Sequence, residues 1–334
     1  MIDVFNHVLP PDYLAAVDKM AVQQPLMFQR ARQISAMSNI DARVKLMDRF
    51  PGYQQILSLS SPTVDALAPG AGSAVLASAA NEAMAALCRQ HPTHFRGFIA
   101  TVPMSDSQDA CREARQAILQ LGAVGIQLYT SVNGLPLDRP EFMDVFACMD
   151  ELRRPIWLHP IRSITTQDYA SENRSKFDLW WAFGWPHETS VAMGRLVFAG
   201  VFDRWPKLKI ITHHVGGTIP MFAARIESGL VSLGTRNSPE DAWTSTTDLK
   251  EPPLQAFKRF YADTASFGSR AALDCGRAFF GLPHMLFATD MPFDPEQGPG
   301  YIRDTIRAID EMQLDESERS ALFEDNIKQL LHWD

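Results

Sequence analysis

The chain has 334 residues, of which 46% are hydrophobic and 21% charged, with 31 Lys plus Arg against 39 Asp plus Glu and a formal net charge of −8. Those ordinary globular proportions exclude a largely disordered chain, leave no apolar run expected to span a bilayer, and offer no dense Lys/Arg run that would track a nucleic-acid backbone. The four cysteines, Cys88, Cys111, Cys148 and Cys275, form no C-x-x-C pair and read as reduced, packed thiols; with no signal-peptide pattern at the start, the expected location is cytoplasmic.

In chain order, an apolar run over 1–4 predicts a strand that breaks off toward His7, and a short helix follows over 11–21. Residues 23–40 read as irregular. A helix is expected over 41–50 with Asp41 as N-cap, because an Asp ahead of an apolar-periodic run satisfies free amides. Strand 54–60 ends at Ser61-Pro62, and the Ala-rich stretch 72–90 has strong helix propensity. Strand 95–101 precedes a helix over 108–121 with Ser105 and Asp106 as cap candidates, and strand 124–129 precedes a helix over 140–153 that starts on a proline. Strand 155–158 runs into His159, and a long segment, 160–185, leads to a helix over 186–202. Strand 208–212 runs into His213 and His214, followed by a helix near 219–233. Strand 260–264, helix 269–280 and a strand over 285–289 ending at Asp290 come next, with helices near 300–312 and 315–333 closing the chain.

Eight strands alternating with helices predict a parallel α/β sheet in a single domain over 1–334. An open doubly wound sheet would carry a Gly-rich phosphate turn after its first strand, and Asn6-His7-Val8-Leu9-Pro10 contains no glycine. The expected fold is therefore a (β/α)8 TIM barrel, somewhat distorted, with an N-terminal helical insertion and C-terminal helices. In such a barrel the carboxyl ends of the strands converge, so His7, His159, His214 and Asp290 are expected to share one mouth. Imidazole and carboxylate are the donors that zinc and similar ions prefer. Period-two geometry places Phe5, which has no donor atom, on the same side as His7; His213 is a candidate substitute donor, but the same alternation points it away from His214, and a structural hydrogen bond is the favoured reading for it. Trp180, Trp181, Phe183 and Trp185 belong to the loop expected to overhang the site, where their rings could stack on a flat substrate.

At these residues the chain resembles the amidohydrolase-2 group of the amidohydrolase superfamily, the branch related to aminocarboxymuconate semialdehyde decarboxylase. Its members start Asp-Ile-His-x-His-x-Leu-Pro, and Asp3-Val4-Phe5-Asn6-His7-Val8-Leu9-Pro10 stands here. Further matches are Arg43-x-x-x-Met47-Asp48, Leu158-His159-Pro160, the run over 200–210, His214-Val215-Gly216-Gly217, Tyr261-Ala262-Asp263-Thr264 and Asp290-Met291-Pro292-Phe293. The resemblance implies that His7, His159 and Asp290 hold a divalent metal, zinc or manganese. It makes His214 catalytic and Arg43 a contact for substrate carboxylate; beyond the resemblance, Asp290 joins His214 as a candidate proton donor, and Arg162, in the long loop, is a candidate second anion contact. Phe5 is a departure, because it stands where relatives carry the first ligand, and it would instead form an apolar wall beside the substrate. The resemblance further implies a homodimer.

The first functional expectation is non-oxidative decarboxylation of a small aromatic or unsaturated carboxylic acid. Hydrolysis of a lactone, ester or amide in the same pocket, without need of a metal, is the second. A ligand-binding barrel without catalysis is the third.

Overall fold

Apolar, β-branched runs pair where the pattern predicts them. The computed structural model describes residues 1–20, 24–230, 232 and 249–333. Strands β1 (Ile2–Val8), β2 (Gln54–Leu59), β3 (Phe95–Thr101), β4 (Gly125–Tyr129), β5 (Ile156–His159), β6 (Ile210–Thr212), β7 (Tyr261–Asp263) and β8 (Met285–Leu286) form one sheet in that order, and every neighbouring pair is parallel. The two edges of the sheet meet. Val4 N–H donates to Phe287 O (2.9 Å), Asp290 N–H to Phe5 O (3.0 Å) and His7 N–H to Met291 O (2.9 Å), which closes the (β/α)8 barrel and leaves no free edge.

Side chains from all around the sheet fill the interior: Ile2, Val4 and Phe5 from β1, Ile56, Ile99, Trp157, Ile211 and Leu286 from later strands. The register of β1 shifts between Asp3 and Asn6, so Val4 and Phe5 both join this cluster although they are adjacent in sequence. Ile327 and Leu331, from the last helix Asn326–Leu331, pack against the same cluster. The helix Ala71–Gln90 supplies Leu76, Ala77, Ala80 and Met84 to the layer between helices and strands, where small alanines permit close approach. By length and composition this helix could cross a bilayer, contrary to the expectation of no such run, but half of it is buried within the fold.

Several boundaries differ from those predicted. Residues read as irregular contain the helices Leu26–Arg32 and Ser35–Ser38, anchored by buried Phe28, Ala31 and Met37. The helix Ile40–Met47 is capped by Asn39, whose Oδ1 accepts from Ala42 N–H, so Asp41 lies in the first turn instead of at the cap. Asp106 caps Ser107–Leu119 as expected. Of the helix expected near 219–233, the described part holds a π-type turn at Arg225–Leu230, and residues 231 and 233 lie outside the described residues.

Barrel closure encloses one carboxylate without a cationic partner. Asp3 accepts hydrogen bonds from Phe5 N–H (3.1 Å), Thr289 N–H (3.3 Å), Thr289 Oγ1 (2.6 Å) and the Tyr53 hydroxyl. Burial outweighs these donors and pushes the carboxyl up from 3.8 to about 6. Its charge therefore costs stability in full above that value, and the cost is relieved as pH falls from about 6 toward 4, where the unfolded chain also takes up the proton. Tyr53→Phe is expected to lower the unfolding free energy by about 1.5–3 kcal/mol near pH 8 and by less near pH 5, as read from urea titrations. An equal loss at both values would show that Tyr53 does not act by supporting the Asp3 charge.

Candidate active site

The strand ends bring together every titratable residue that the pattern singled out. His7 closes β1, His159 closes β5, and His213 and His214 follow β6; Asp290 follows the apolar run that contains β8. Asp290 Oδ1 lies 3.1 Å from His7 Nε2 and 3.5 Å from His213 Nε2, while its Oδ2 lies 3.5 Å from His214 Nε2. The rings of His7 and His159 are 5.1 Å apart between centroids, and those of His159 and His213 are 5.2 Å apart.

His213 overturns the alternation argument. It retains extended backbone and turns inward, and the chain then enters the left-handed region at His214 (φ 53°) and Val215 (φ 56°). Strand period ends there, so the His214 ring folds back beside His213 at 3.8 Å between centroids instead of pointing to the opposite face. Left-handed φ at a β-branched residue costs about 1–3 kcal/mol and survives only where packing enforces it. Gly217 is part of that packing: a Cβ there would lie 2.4 Å from the Pro186 carbonyl.

Three of the four rings are oriented through Nδ1, while the Nδ1 of His214 is buried without a hydrogen-bond partner. That of His7 meets Ser58 Oγ (3.1 Å), whose own hydroxyl donates to Asn6 O (2.5 Å), so His7 is the donor. The Nδ1 of His159 donates to Pro160 O (2.6 Å), and that of His213 to the fully buried Asp263 carboxylate. Nε2 of His7 and of His213 are both buried without a hydrogen-bond partner, since neither approach to Asp290 is aligned as a hydrogen bond.

Burial and then the neighbouring imidazoles hold His159 well below the ordinary histidine range. Burial also lowers His7 and His214, only partly offset by Asp290. Burial opposes protonation of His213 as well, but the carboxylates of Asp263 and Asp290 reverse it and bring the ring up to about 10. Burial works against ionised Asp290, yet contacts from His213, His214 and His7 hold it well below the carboxylate range.

Above this cluster is a cavity of about 240 Å³ lined by His7, His159, Asp290, Phe293 and Tyr301 and walled by Trp180 and Trp181, from the short helix Leu179–Ala182, and by Trp185, from the helix Gly184–Phe198, rather than from a loop as expected. Arg30, from a helix the sequence reading missed, stands at the mouth 3.8 Å from Asp178. The apolar spacing of Phe28 and Ala31 was the available signal for that helix.

Three expected contacts are not made. Arg43 is fully buried away from the cavity and donates to Gln55 Oε1 (2.8 Å), His7 O (2.6 Å), Ala36 O (3.0 Å) and Asn6 Oδ1 (2.6 Å). It braces the end of β1 and has one N–H left, so it is no carboxylate receptor. Arg162 is claimed by Glu188 at 2.7 Å and does not line the cavity. Phe5 forms no substrate wall either, because its ring is fully buried in the barrel interior, 4.2 Å from the His213 ring.

The amidohydrolase family model Amidohydro_2 matches residues 2–333, and the chain belongs to that family. It is 32% identical over 274 residues to gamma-resorcylate decarboxylase of Polaromonas sp. strain JS666, covering 76% of this chain and 77% of the relative. It is 28% identical over 272 residues to 2-amino-3-carboxymuconate-6-semialdehyde decarboxylase of Dictyostelium discoideum, covering 81% of this chain and 72% of the relative. Among solved structures, dihydroxybenzoic acid decarboxylase from Polaromonas sp. JS666, with bound manganese and the inhibitor 2-nitroresorcinol, superimposes with a TM-score of 0.78 at 26% identity, covering 99% of this chain and 96% of that one.

Arg43→Ala is expected to cost about 3 kcal/mol or more in chemical denaturation, because it strands several buried acceptors at once. A raised KM at unchanged stability would instead return Arg43 to substrate binding.

Proposed function

We propose that the protein is a metal-dependent, non-oxidative decarboxylase of a small, flat aromatic or unsaturated carboxylic acid. The observation that carries this reading is the convergence of His7, His159 and Asp290 in the lining of a cavity walled by aromatic rings, with His214 beside Asp290 just outside that lining. The chain's decarboxylase relatives support it.

The residues fit a divalent ion. His7 has its Nδ1 fixed and its Nε2 buried with no partner, which is the state of a donor awaiting an acceptor other than a proton. His7, His159 and Asp290 would hold the ion, with zinc and manganese as the identities to test. When bound, it supplies a Lewis acid that orients the substrate's carboxylate or a neighbouring oxygen and stabilises charge.

The protein's own groups do the rest. Trp185 and Phe293 line the cavity, where their rings would pack against a planar substrate and exclude water around it. Arg30, half exposed at the mouth, favours approach of an anion. His214 keeps a small opening to solvent and is neutral near pH 7, so it can take up a proton and pass it toward Asp290, 3.5 Å away. From His214 or Asp290 the proton goes to the ring carbon that bears the carboxylate. The carbon–carboxylate bond then breaks, its electron pair returns to the ring, and carbon dioxide leaves, so each turnover consumes one proton.

The test is a panel of hydroxybenzoates, muconate-like acids and pyrone lactones, offered to enzyme supplemented with zinc or manganese. Carbon dioxide release from at least one acid is expected, with His214→Ala and Asp290→Asn each slowing it by about 10²–10⁴-fold at unchanged melting temperature. Lactone opening without carbon dioxide, or near-normal rates in both variants, would overturn the assignment.

A further inference from the structure

His213 has a role that neither strand alternation nor the family pattern gives it. It stands fully buried at the centre of the cluster, with Nδ1 donating to Asp263 and Nε2 buried and unpartnered. Asp263 is itself fully buried and also accepts from Ala265 N–H at 3.1 Å, so it is fixed in place. An ion at Nε2 would displace the proton that the neighbouring carboxylates hold on the ring, while Asp263 keeps the one on Nδ1, the arrangement by which proteins position a histidine to bind metal. His7 and His159 are prepared in the same way, through Ser58 and Pro160. One nitrogen from each of His7, His159 and His213 lies within 4.8 Å of the other two, and Asp290 Oδ1 lies 3.1–3.5 Å from Nε2 of His7 and His213. From β1 His7 donates but Phe5 cannot, because it has no donor atom, and its ring packs directly against His213.

We propose that His213 binds the divalent ion directly through Nε2, completing with His7, His159 and Asp290 a set of three imidazoles and one carboxylate, and that Asp263 is the positioning residue that holds it in the ligating tautomer. This rests on the metal-dependent reading above. The donor that β1 lacks at Phe5 is thereby supplied from β6. Three nitrogens and one oxygen suit zinc and cobalt better than manganese.

The full-length protein, stripped by chelator and reloaded with cobalt(II), is expected to bind one equivalent. Its proton spectrum should then contain three paramagnetically shifted imidazole N–H signals, one for each of the three ring donors. In His213→Asn, which keeps a hydrogen-bonding partner for Asp263, one signal should vanish, the visible cobalt spectrum should change, and affinity measured by chelator competition should fall by about 100-fold or more. Asp263→Asn should weaken affinity by about 10–100-fold with all three signals retained. Adding Phe5→His to His213→Asn should recover most of the loss. Wild-type affinity and an unchanged cobalt spectrum in His213→Asn would overturn the ligand assignment, as would only two shifted signals in the wild type, a measurement that stands even if the variant does not fold. Neither result touches decarboxylation. That reading fails separately, if fully loaded wild-type enzyme releases no carbon dioxide from the panel, and such a failure would leave the ligand set intact.

Discussion

The site exists because the two ends of the chain meet. The bond from Asp290 N–H to Phe5 O and that from His7 N–H to Met291 O close the barrel and, in the same stroke, set the Asp290 carboxylate 3.1 Å from His7. A carboxylate so deeply buried is sustained only by nearby groups that favour its charge, since desolvation alone would protonate it. Here His213, His214 and His7 surround it. Closure, the buried charge and the imidazole cluster therefore form one construction, and loosening any of them exposes the others.

That construction is braced from outside the pocket. Arg43 ties His7 O, Asn6 and Gln55 to the short helix that carries Ala36, while Asp3 gathers Tyr53 and Thr289 across the seam between β1 and the last strand. Buried charges add little net stability even when well satisfied, but removing one partner is expensive. Their consequence here is positional: the backbone at His7 and at Thr289, next to Asp290, is held by hydrogen bonds that do not involve substrate. The left-handed φ values at His214, Val215 and Asp290 are tolerated within this frame.

Fold and site were legible in the sequence to different depths. The strand ends were readable because short β-branched runs stopping at His7, His159, His214 and Asp290 leave few arrangements other than a barrel mouth. His213 was legible in part: its structural hydrogen bond and its candidacy as a substitute donor could be read, but its direction could not, because alternation holds only while the backbone stays extended, and the left-handed turn at His214 and Val215 ends it one residue early. Arg43 misled for another reason. Its acceptors include the main-chain carbonyls of His7 and Ala36, which no side-chain pattern advertises. Arg162 had a visible partner in Glu188, but their separation of 26 positions hid the pairing. The helix bearing Arg30 was obscured by its polar and Met-containing composition, although Phe28 and Ala31 were spaced to bury.

Taken together, burial and charge define what the pocket can do. His7, His159 and His214 are held in the neutral form while Asp290 stays ionised, and the one charged imidazole, His213, is fully buried between Asp263 and Asp290 outside the lining, so the cavity wall itself presents the lone pairs of His7 and His159 and the charge of Asp290. A carboxylate substrate would be repelled by such a surface. Walls of Trp180, Trp181 and Trp185 deepen the problem, because they remove the water that would otherwise screen the repulsion. The one cation lining the mouth among the described residues, Arg30, is already shared with Asp178. A divalent ion on the imidazole nitrogens would convert this arrangement from repulsive to attractive, and the same dry, aromatic surroundings would strengthen the attraction. The apolar walls and the need for a metal are thus two sides of one electrostatic requirement.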